Sequence, residues 1–173
     1  MATRHAEARA QLSASPQAVF ARLDDPALLG GHMSSSSMMM GGGRMTYEFD
    51  EGGGRAVGSH IRMGGSAFGL GLSLDEVIAE RSPPYRKVWR TVGAPRLLVI
   101  GAYEMGFEIT PVDTGAALRV WIDYDPPAKG IGRFFPALAA AYARWCVSQM
   151  AGDAARYFGV PNLTQPGVAP SRA

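Results

Sequence analysis

This sequence of 173 residues has few of the features that mark metal, redox or nucleotide chemistry. Its single cysteine, Cys146, cannot form an intrachain disulfide and is expected to pack as a small apolar side chain on a helix. The histidines His5, His32 and His60 lack zinc-ligand spacing. No glycine run matches a phosphate-binding loop, and no serine-hydrolase elbow occurs. The sequence therefore predicts no metal, no cofactor and no catalytic set.

Basic clusters and long apolar runs are also missing. The lysines are Lys87 and Lys129, and the net charge of +2 is scattered along the chain, which argues against a nucleic-acid partner. No apolar run approaches the roughly 20 residues of a membrane-spanning helix. The chain has His5, Glu7 and Arg9 where a signal peptide needs an apolar stretch. We expect a cytoplasmic protein without membrane insertion, either a monomer or a homodimer.

The chain instead contains a regular order of strand and helix patterns, and its length is typical of one domain. Seven strands are predicted, over residues 5–12, 44–50, 58–63, 69–80, 85–92, 97–109 and 118–124. Helices are predicted over about 16–23, 26–29 and 131–158, the first capped by Ser15 and begun by Pro16. Residues 1–158 are expected to form the domain, and the proline-containing residues 159–173 a disordered tail.

The last two strands form the clearest predicted hairpin, with a turn at Asp113-Thr114-Gly115. If Ile109 faces Leu118, apolar and aromatic pairs share one side of the hairpin. The same register places Trp121 across from Gly106, and an aromatic side chain over a glycine is a known stabilising pair.

This register also places Glu104 opposite Asp123, which is unfavourable. We hypothesise that the preceding turn brings Arg86 beside Glu104 and relieves the repulsion. The apolar alternation of the fourth strand is interrupted at residues 75–77, which suggests a β-bulge there.

Nearly every strand has one apolar and one polar face, so the sheet is expected to be antiparallel and covered on one face. The C-terminal helix is the element long enough to cover it. Its predicted apolar stripe comprises Leu138, Ala141, Tyr142, Trp145, Cys146 and Met150. Glycines such as Gly101 and Gly106 are expected to help the sheet curve.

In this order, the sequence resembles the START-like or SRPBCC superfamily, which includes polyketide cyclase-like proteins and lipid-transfer domains. The resemblance covers about residues 5–158. It rests on SASPQAVFARLDD from Ser13, HM at His32, GSHIRM from Gly58, RSPPYRKVWRT from Arg81, LLVIGAYEMGFEI from Leu97 and YARWC from Tyr142. It implies an α+β helix-grip fold, in which a curved, mainly antiparallel seven-stranded sheet wraps a long C-terminal helix, with two short helices after strand 1. It also implies an apolar cavity between sheet and helix, but no shared catalytic residues.

The predicted inward-facing side chains are candidates for a ligand pocket. They are Met33, Met45, Tyr47, Ile61, Met63, Leu72, Trp89, Tyr103, Met105, Phe107, Val120, Ile122, Tyr142 and Trp145. They can equally be read as plain core, but the mixture of methionine with tyrosine and tryptophan suits an adaptable cavity with polar anchors. Residues 38–40, three methionines, form either a lid or a linker.

Three functions remain open at this point. The first is a carrier or sensor of an apolar or amphipathic small molecule such as a lipid, a polyketide or a quinone-like compound. The second is an enzyme of the polyketide cyclase or dehydratase kind, and the third is an interaction module with a closed core. An ionisable pair with shifted pKa values inside the cavity would favour the enzyme. A purely apolar cavity would favour the carrier or sensor. A closed core without a cavity would favour the interaction module.

Overall fold

The structure is a computed structural model that describes residues 3–25, 45–67, 70–126 and 135–159. In chain order its elements are β1 (Arg4–Leu12), α1 (Pro16–Leu23), β2 (Met45–Phe49), β3 (His60–Ala67), β4 (Leu70–Ser82), β5 (Arg86–Arg96), β6 (Tyr103–Val112), β7 (Gly115–Tyr124) and α2 (Pro136–Phe158). The predicted seven strands and the long C-terminal helix are confirmed. The predicted short helix at residues 26–29, Met33 and the loop of residues 38–40 lie outside the described residues.

The strands form one curved antiparallel sheet in the order β1-β7-β6-β5-β4-β3-β2. Helix α2 packs against β1 and β7, and α1 packs against β6, β7 and α2. Both helices therefore lie toward one end of the sheet. The described residues include no helix long and apolar enough to cross a lipid bilayer.

Helix α1 begins as the sequence predicts. The Ser15 side chain accepts a hydrogen bond from the Ala18 amide at 3.3 Å, which satisfies one of the free N–H groups at the helix start. Pro16 occupies the first turn, where its missing N–H costs nothing. Val19, Phe20 and Leu23 bury the inner face. The turn at residues 13–15 thus directs the chain from β1 onto the sheet.

The β6–β7 hairpin has the predicted register, with Ile109 opposite Leu118 and Gly106 opposite Trp121. A Cβ atom at Gly106 would lie 2.6 Å from the Trp121 ring, so no larger residue fits there without displacing the indole. The hairpin is therefore specified by contacts that its own sequence supplies.

The hypothesis about the preceding register is wrong. Arg86 pairs with Glu108, and Arg90 is the residue opposite Glu104. The error arose because residues 97–102 form an irregular connection rather than part of β6: the Gly101 amide donates to the Asp125 carbonyl at 2.8 Å. The contact with Asp125, after β7, therefore keeps residues 97–102 out of the β5–β6 pairing.

The predicted irregularity in β4 is also misplaced. The inward alternation continues unbroken through Leu74, Glu76 and Ile78, all of which are buried. The pairing of β4 with β5 shifts on either side of that stretch, between Ser73 and Asp75 and between Ile78 and Glu80. The fifth strand also extends beyond its predicted end at residue 92: Gly93 lies inside β5, where its φ of +70° accommodates the first of these shifts. Glu76 therefore points inward, as its position in the period demands.

The buried face of helix α2 shares only Met150 with the predicted stripe. Its buried residues are Ala139, Ala143, Val147, Met150, Ala151 and Ala154. Leu138 is 43% exposed and Ala141 is exposed. Small side chains allow a helix to approach a sheet closely, so the alanine face lies against β1 and β7. Tyr142, Trp145 and Cys146 flank this face and are half-buried.

Candidate functional site

The structure brings most of the predicted pocket residues to one interior region. The fully buried ones are Ile61, Met63, Trp89, Phe107, Val120 and Ile122. Those partly buried and packed against that core are Tyr47, Leu72, Tyr103, Met105 and Tyr142. Trp145 lies beside Tyr142, with ring centroids 5.9 Å apart. The side chain of Met45 and all of Met33 lie outside the described residues.

Tyr47 carries a buried polar atom. Its hydroxyl oxygen has no hydrogen-bond partner among the residues that the structure describes. Its ring stacks on Phe49, with centroids 6.5 Å apart. Burial raises the pKa of Tyr47 to about 12, so the hydroxyl keeps its proton and remains a donor. A buried hydroxyl without a partner costs about 1–3 kcal/mol, which makes this position suited to a bound acceptor.

Glu76 is a carboxylic acid enclosed by the sheet interior. It lies on β4 between the inward residues Leu74 and Ile78, and it is 5% exposed. Its Oε1 atom accepts a short hydrogen bond from the Tyr103 hydroxyl. Burial raises the pKa of Glu76 to about 7, although the Tyr103 hydrogen bond opposes the change. The acid therefore changes its charge near neutral pH.

Tyr103 is held in place by its backbone as well as by its hydroxyl. Its amide donates to the Thr91 hydroxyl at 3.1 Å, which fixes the start of β6 against β5. Burial raises the pKa of Tyr103 well above its ordinary value, and the nearby Glu76 charge raises it further. Tyr103 is therefore a hydrogen-bond donor that orients one oxygen of Glu76.

Helix α2 contributes a further polar pair beside these groups. Burial raises the pKa of the Cys146 thiol to about 11, and burial also raises the pKa of Tyr142, which interacts with that thiol. A thiol with so high a pKa stays protonated at neutral pH and is a poor nucleophile. Cys146 therefore packs as a small apolar side chain on the helix, as the sequence predicts.

These side chains come from four separate elements: Tyr47 from β2, Glu76 from β4, Tyr103 from β6 and Tyr142 from α2. We call Tyr47, Glu76 and Tyr103 the inner polar group. Apolar side chains surround it, among them Met63 and Trp89. A hydrogen-bond donor without a partner among the described residues and an acid with a raised pKa, both set among apolar side chains, are features typical of sites that bind an oxygen-bearing part of an otherwise apolar molecule.

Sequence reasoning missed Glu76, although the signal was present. Leu70, Leu72, Leu74, Glu76 and Ile78 follow strict period two, and the acid occupies an inward place in that series. A carboxylate within an apolar series is interpreted as an interruption because an isolated buried carboxylate is costly. Its hydrogen-bond partner comes from a strand that begins at Tyr103, which no local pattern in β4 reveals.

A second buried polar cluster joins α1 to the sheet and has a structural role. Lys87, 1% exposed, donates to Asp24 Oδ1 and to the Gly54 carbonyl, each at 2.8 Å. Arg81 also donates to Asp24, at 2.7 Å from Nη2. Burial opposes ionisation of Asp24, but hydrogen bonds from Arg81 and Lys87 keep its pKa below the ordinary value. Arg81 and Lys87 both pair with Asp24, so this cluster connects α1 to β4 and β5 rather than offering free groups.

The outer face of the sheet has a cleft of about 310 Å³, lined by residues of β1, β6 and β7. Its charged groups already pair with neighbours: Arg119 donates to Glu7 at 2.8 Å, and Arg119 also lies 3.9 Å from Glu108. The inner polar group lies on the opposite face of the sheet.

The curved sheet, the C-terminal helix laid on one end of it and the enclosed polar group define a helix-grip domain. The model of the family described as polyketide cyclase / dehydrase and lipid transport matches residues 3–158, so the chain belongs to that family. No curated protein matches the chain.

Solved structures agree with this fold. The Zhui aromatase/cyclase from a Streptomyces species has a TM-score of 0.61 at 14% identity, covering 90% of this chain and 95% of its own. A protein from Rhodobacter sphaeroides has a TM-score of 0.54 at 22% identity, covering 87% and 88%. The protein Ara h 8.0201 has a TM-score of 0.57 at 11% identity, covering 90% and 99%. At these identities the likeness shows the fold alone.

Proposed function

We propose that this protein binds a small amphipathic molecule, such as a lipid, a polyketide or a quinone-like compound, between the sheet and α2, as a carrier or sensor. The observation that carries the proposal is the buried Tyr47 hydroxyl, which has no partner in the described part of the chain and lies on the apolar inner face. Family membership supports the same conclusion, because the family is described by cyclase, dehydrase and lipid-transport activities.

The proposed lining combines rigid aromatic and adaptable side chains. Trp89 and Tyr103 provide flat apolar surfaces, while Met63 and Met105 can adjust to the shape of a guest. The polar end of the guest would lie at the Tyr47 hydroxyl, where it satisfies a donor that is otherwise left without an acceptor. Its apolar remainder would lie along the strands.

Glu76 favours a second candidate function. A carrier of purely apolar molecules has no use for a buried acid with a raised pKa, whereas acid–base catalysis needs a group that titrates near the working pH. An enzyme of the polyketide cyclase or dehydratase kind would hold its substrate in the same place. Both functions begin with binding, so binding is the first property to test.

Saturable uptake of anilinonaphthalene sulfonate by the folded protein tests the proposal. We expect a fluorescence increase that saturates, is competed by decanoic acid or beta-tetralone, and weakens several-fold in Trp89→Phe, which removes part of the lining. Trp121→Phe is the matched control, because Trp121 lies over Gly106 on the outer face. Native mass spectrometry of the protein as purified would give the mass of any retained guest.

The absence of saturable uptake would exclude both the carrier and the enzyme and leave the interaction module. Equal losses in Trp89→Phe and Trp121→Phe would place the dye away from the inner face.

A further inference from the structure

We propose that Glu76 is a catalytic base that removes a proton from the carbon next to a carbonyl group of a bound ketone, while the Tyr47 hydroxyl donates a hydrogen bond to the carbonyl oxygen. The inference rests on the proposed binding function and names the class of substrate for the same site: apolar molecules with an enolisable ketone.

The first support is that Glu76 has one oxygen held and one free. Oε1 accepts from the Tyr103 hydroxyl, which fixes the orientation of the carboxyl group. Oε2 has no hydrogen-bond partner among the described side chains and amides. A carboxylate positioned through one oxygen can use the other to accept a proton.

The second support is the placement of Tyr47 relative to Glu76. Tyr47 pairs with Met63, Met63 pairs with Leu74, and Glu76 is two residues further along the same face of β4. Two strand spacings and a two-residue offset put the Cα atoms of Tyr47 and Glu76 roughly 12 Å apart. Both residues lie on the inner face of the sheet, and the charge of Glu76 contributes to the raised pKa of Tyr47. In the proposed complex, the carbonyl group and its neighbouring carbon would lie between the two side chains.

The proposed step balances without an added reagent. The C–H bond next to the carbonyl breaks, its proton moves to Glu76 Oε2, and its electron pair forms the carbon–carbon double bond of an enolate. The former carbonyl π pair moves to oxygen, where the Tyr47 hydrogen bond stabilises the charge. Return of the proton to carbon restores the ketone or a conjugated isomer, so nothing is oxidised or reduced.

The surroundings of Glu76 fit a base that works near neutral pH. Burial raises the pKa of Glu76 to about 7, so half of the molecules carry the base at that pH. The titratable and charged groups that act on it are Asp75 on its own strand, Tyr47 on β2, Lys87 on β5, Tyr103 on β6 and Tyr142 on α2. Lys87 is itself paired with Asp24, 2.8 Å away, which limits its effect on Glu76.

Deuterium exchange of beta-tetralone in deuterium oxide, followed by proton NMR, tests the step. We expect the full chain to accelerate exchange over buffer, with a rate that rises with pH to a plateau above about 7. Acid–base groups contribute roughly 10²–10⁴-fold, so Glu76→Gln should lower the rate at least about 100-fold. Glu104→Gln, the same change on an exposed residue of β6, should leave the rate unchanged.

Tyr103→Phe distinguishes a positioning residue from a structural one. Loss of its hydrogen bond removes an interaction that lowers the pKa of Glu76, so the pH midpoint of exchange should move upward. A merely structural role would reduce the amount of folded protein without moving that midpoint.

Binding is measured separately, by displacement of anilinonaphthalene sulfonate with beta-tetralone. Binding retained by Glu76→Gln together with lost exchange supports the proposal. Binding without exchange above buffer, or exchange that survives Glu76→Gln, overturns it and leaves the binding function standing. If neither the dye nor the ketone binds, the proposed function fails, and the catalytic step fails with it.

Discussion

Replacement of Glu76 by glutamine should stabilise the protein, and by an amount that grows with pH. Glutamine has nearly the same shape and can still accept the Tyr103 hydrogen bond, but it cannot ionise. The pKa of Glu76 is about 7 in the folded protein, compared with an ordinary value of 4.5. At roughly 1.4 kcal/mol per pH unit, the gap between these values corresponds to about 3 kcal/mol.

The sign follows from proton binding. Below pH 4.5 the carboxyl group is protonated in both states, so its ionisation contributes no difference. Between pH 4.5 and 7 the unfolded chain releases the proton while the folded chain keeps it, so the free energy of unfolding falls as pH rises. Above pH 7 the loss is complete. Relative to the parent, Glu76→Gln should therefore gain little at pH 4.5 and about 3 kcal/mol at pH 8.

Urea unfolding followed by tryptophan fluorescence at several pH values measures this difference directly. Subtracting the parent from the variant cancels the other titrating groups, and the control Glu104→Gln, on an exposed residue of β6, should change the difference between pH 5 and pH 8 far less than Glu76→Gln does. A gap between parent and Glu76→Gln that does not change from pH 5 to pH 8 would refute the reasoning, because it would mean that folding leaves the pKa of Glu76 unchanged.

Two further predictions concern the other buried polar groups. Tyr47→Phe should raise the free energy of unfolding of the ligand-free protein by about 1 kcal/mol, because it removes a buried hydroxyl without a partner among the described residues. The same variant should bind beta-tetralone more weakly. Destabilisation in urea unfolding would show that the hydroxyl has an acceptor in the free protein. Lys87→Met should lower the free energy of unfolding in urea by about 3 kcal/mol. Asp24→Asn should lower it further, because it leaves the buried Lys87 without a carboxylate partner. A larger loss in Lys87→Met than in Asp24→Asn would contradict the assigned network.

Features set by neighbouring residues could be predicted from the sequence. The Ser15 cap and the β6–β7 register depend on contacts within a few residues or across one tight turn, so the pattern predicts them correctly. The β5–β6 register depends on Gly101 and the Asp125 carbonyl, which follows β7. Because that contact is distant in sequence, the prediction for Arg86 was wrong.

The buried face of α2 shows the same limit within a single helix. A stripe of large apolar residues is typical of a buried face, and the predicted stripe includes Tyr142. The helix instead packs its alanine and valine face against the sheet, because these small side chains allow a close approach, and Tyr142 lies half-buried beside that face. Which of two acceptable faces packs depends on the surface against it.

Amino-acid order alone determined the strand count, the long helix and the general apolar lining, because side-chain alternation and caps act over short distances. The tertiary structure decided that Glu76 is buried with Tyr103 as its partner and that the Tyr47 hydroxyl has none. A buried acid is tolerable only where another part of the chain supplies its hydrogen bond, here a strand distant in sequence. That condition depends on how the whole sheet curves, so no stretch of β4 could reveal it.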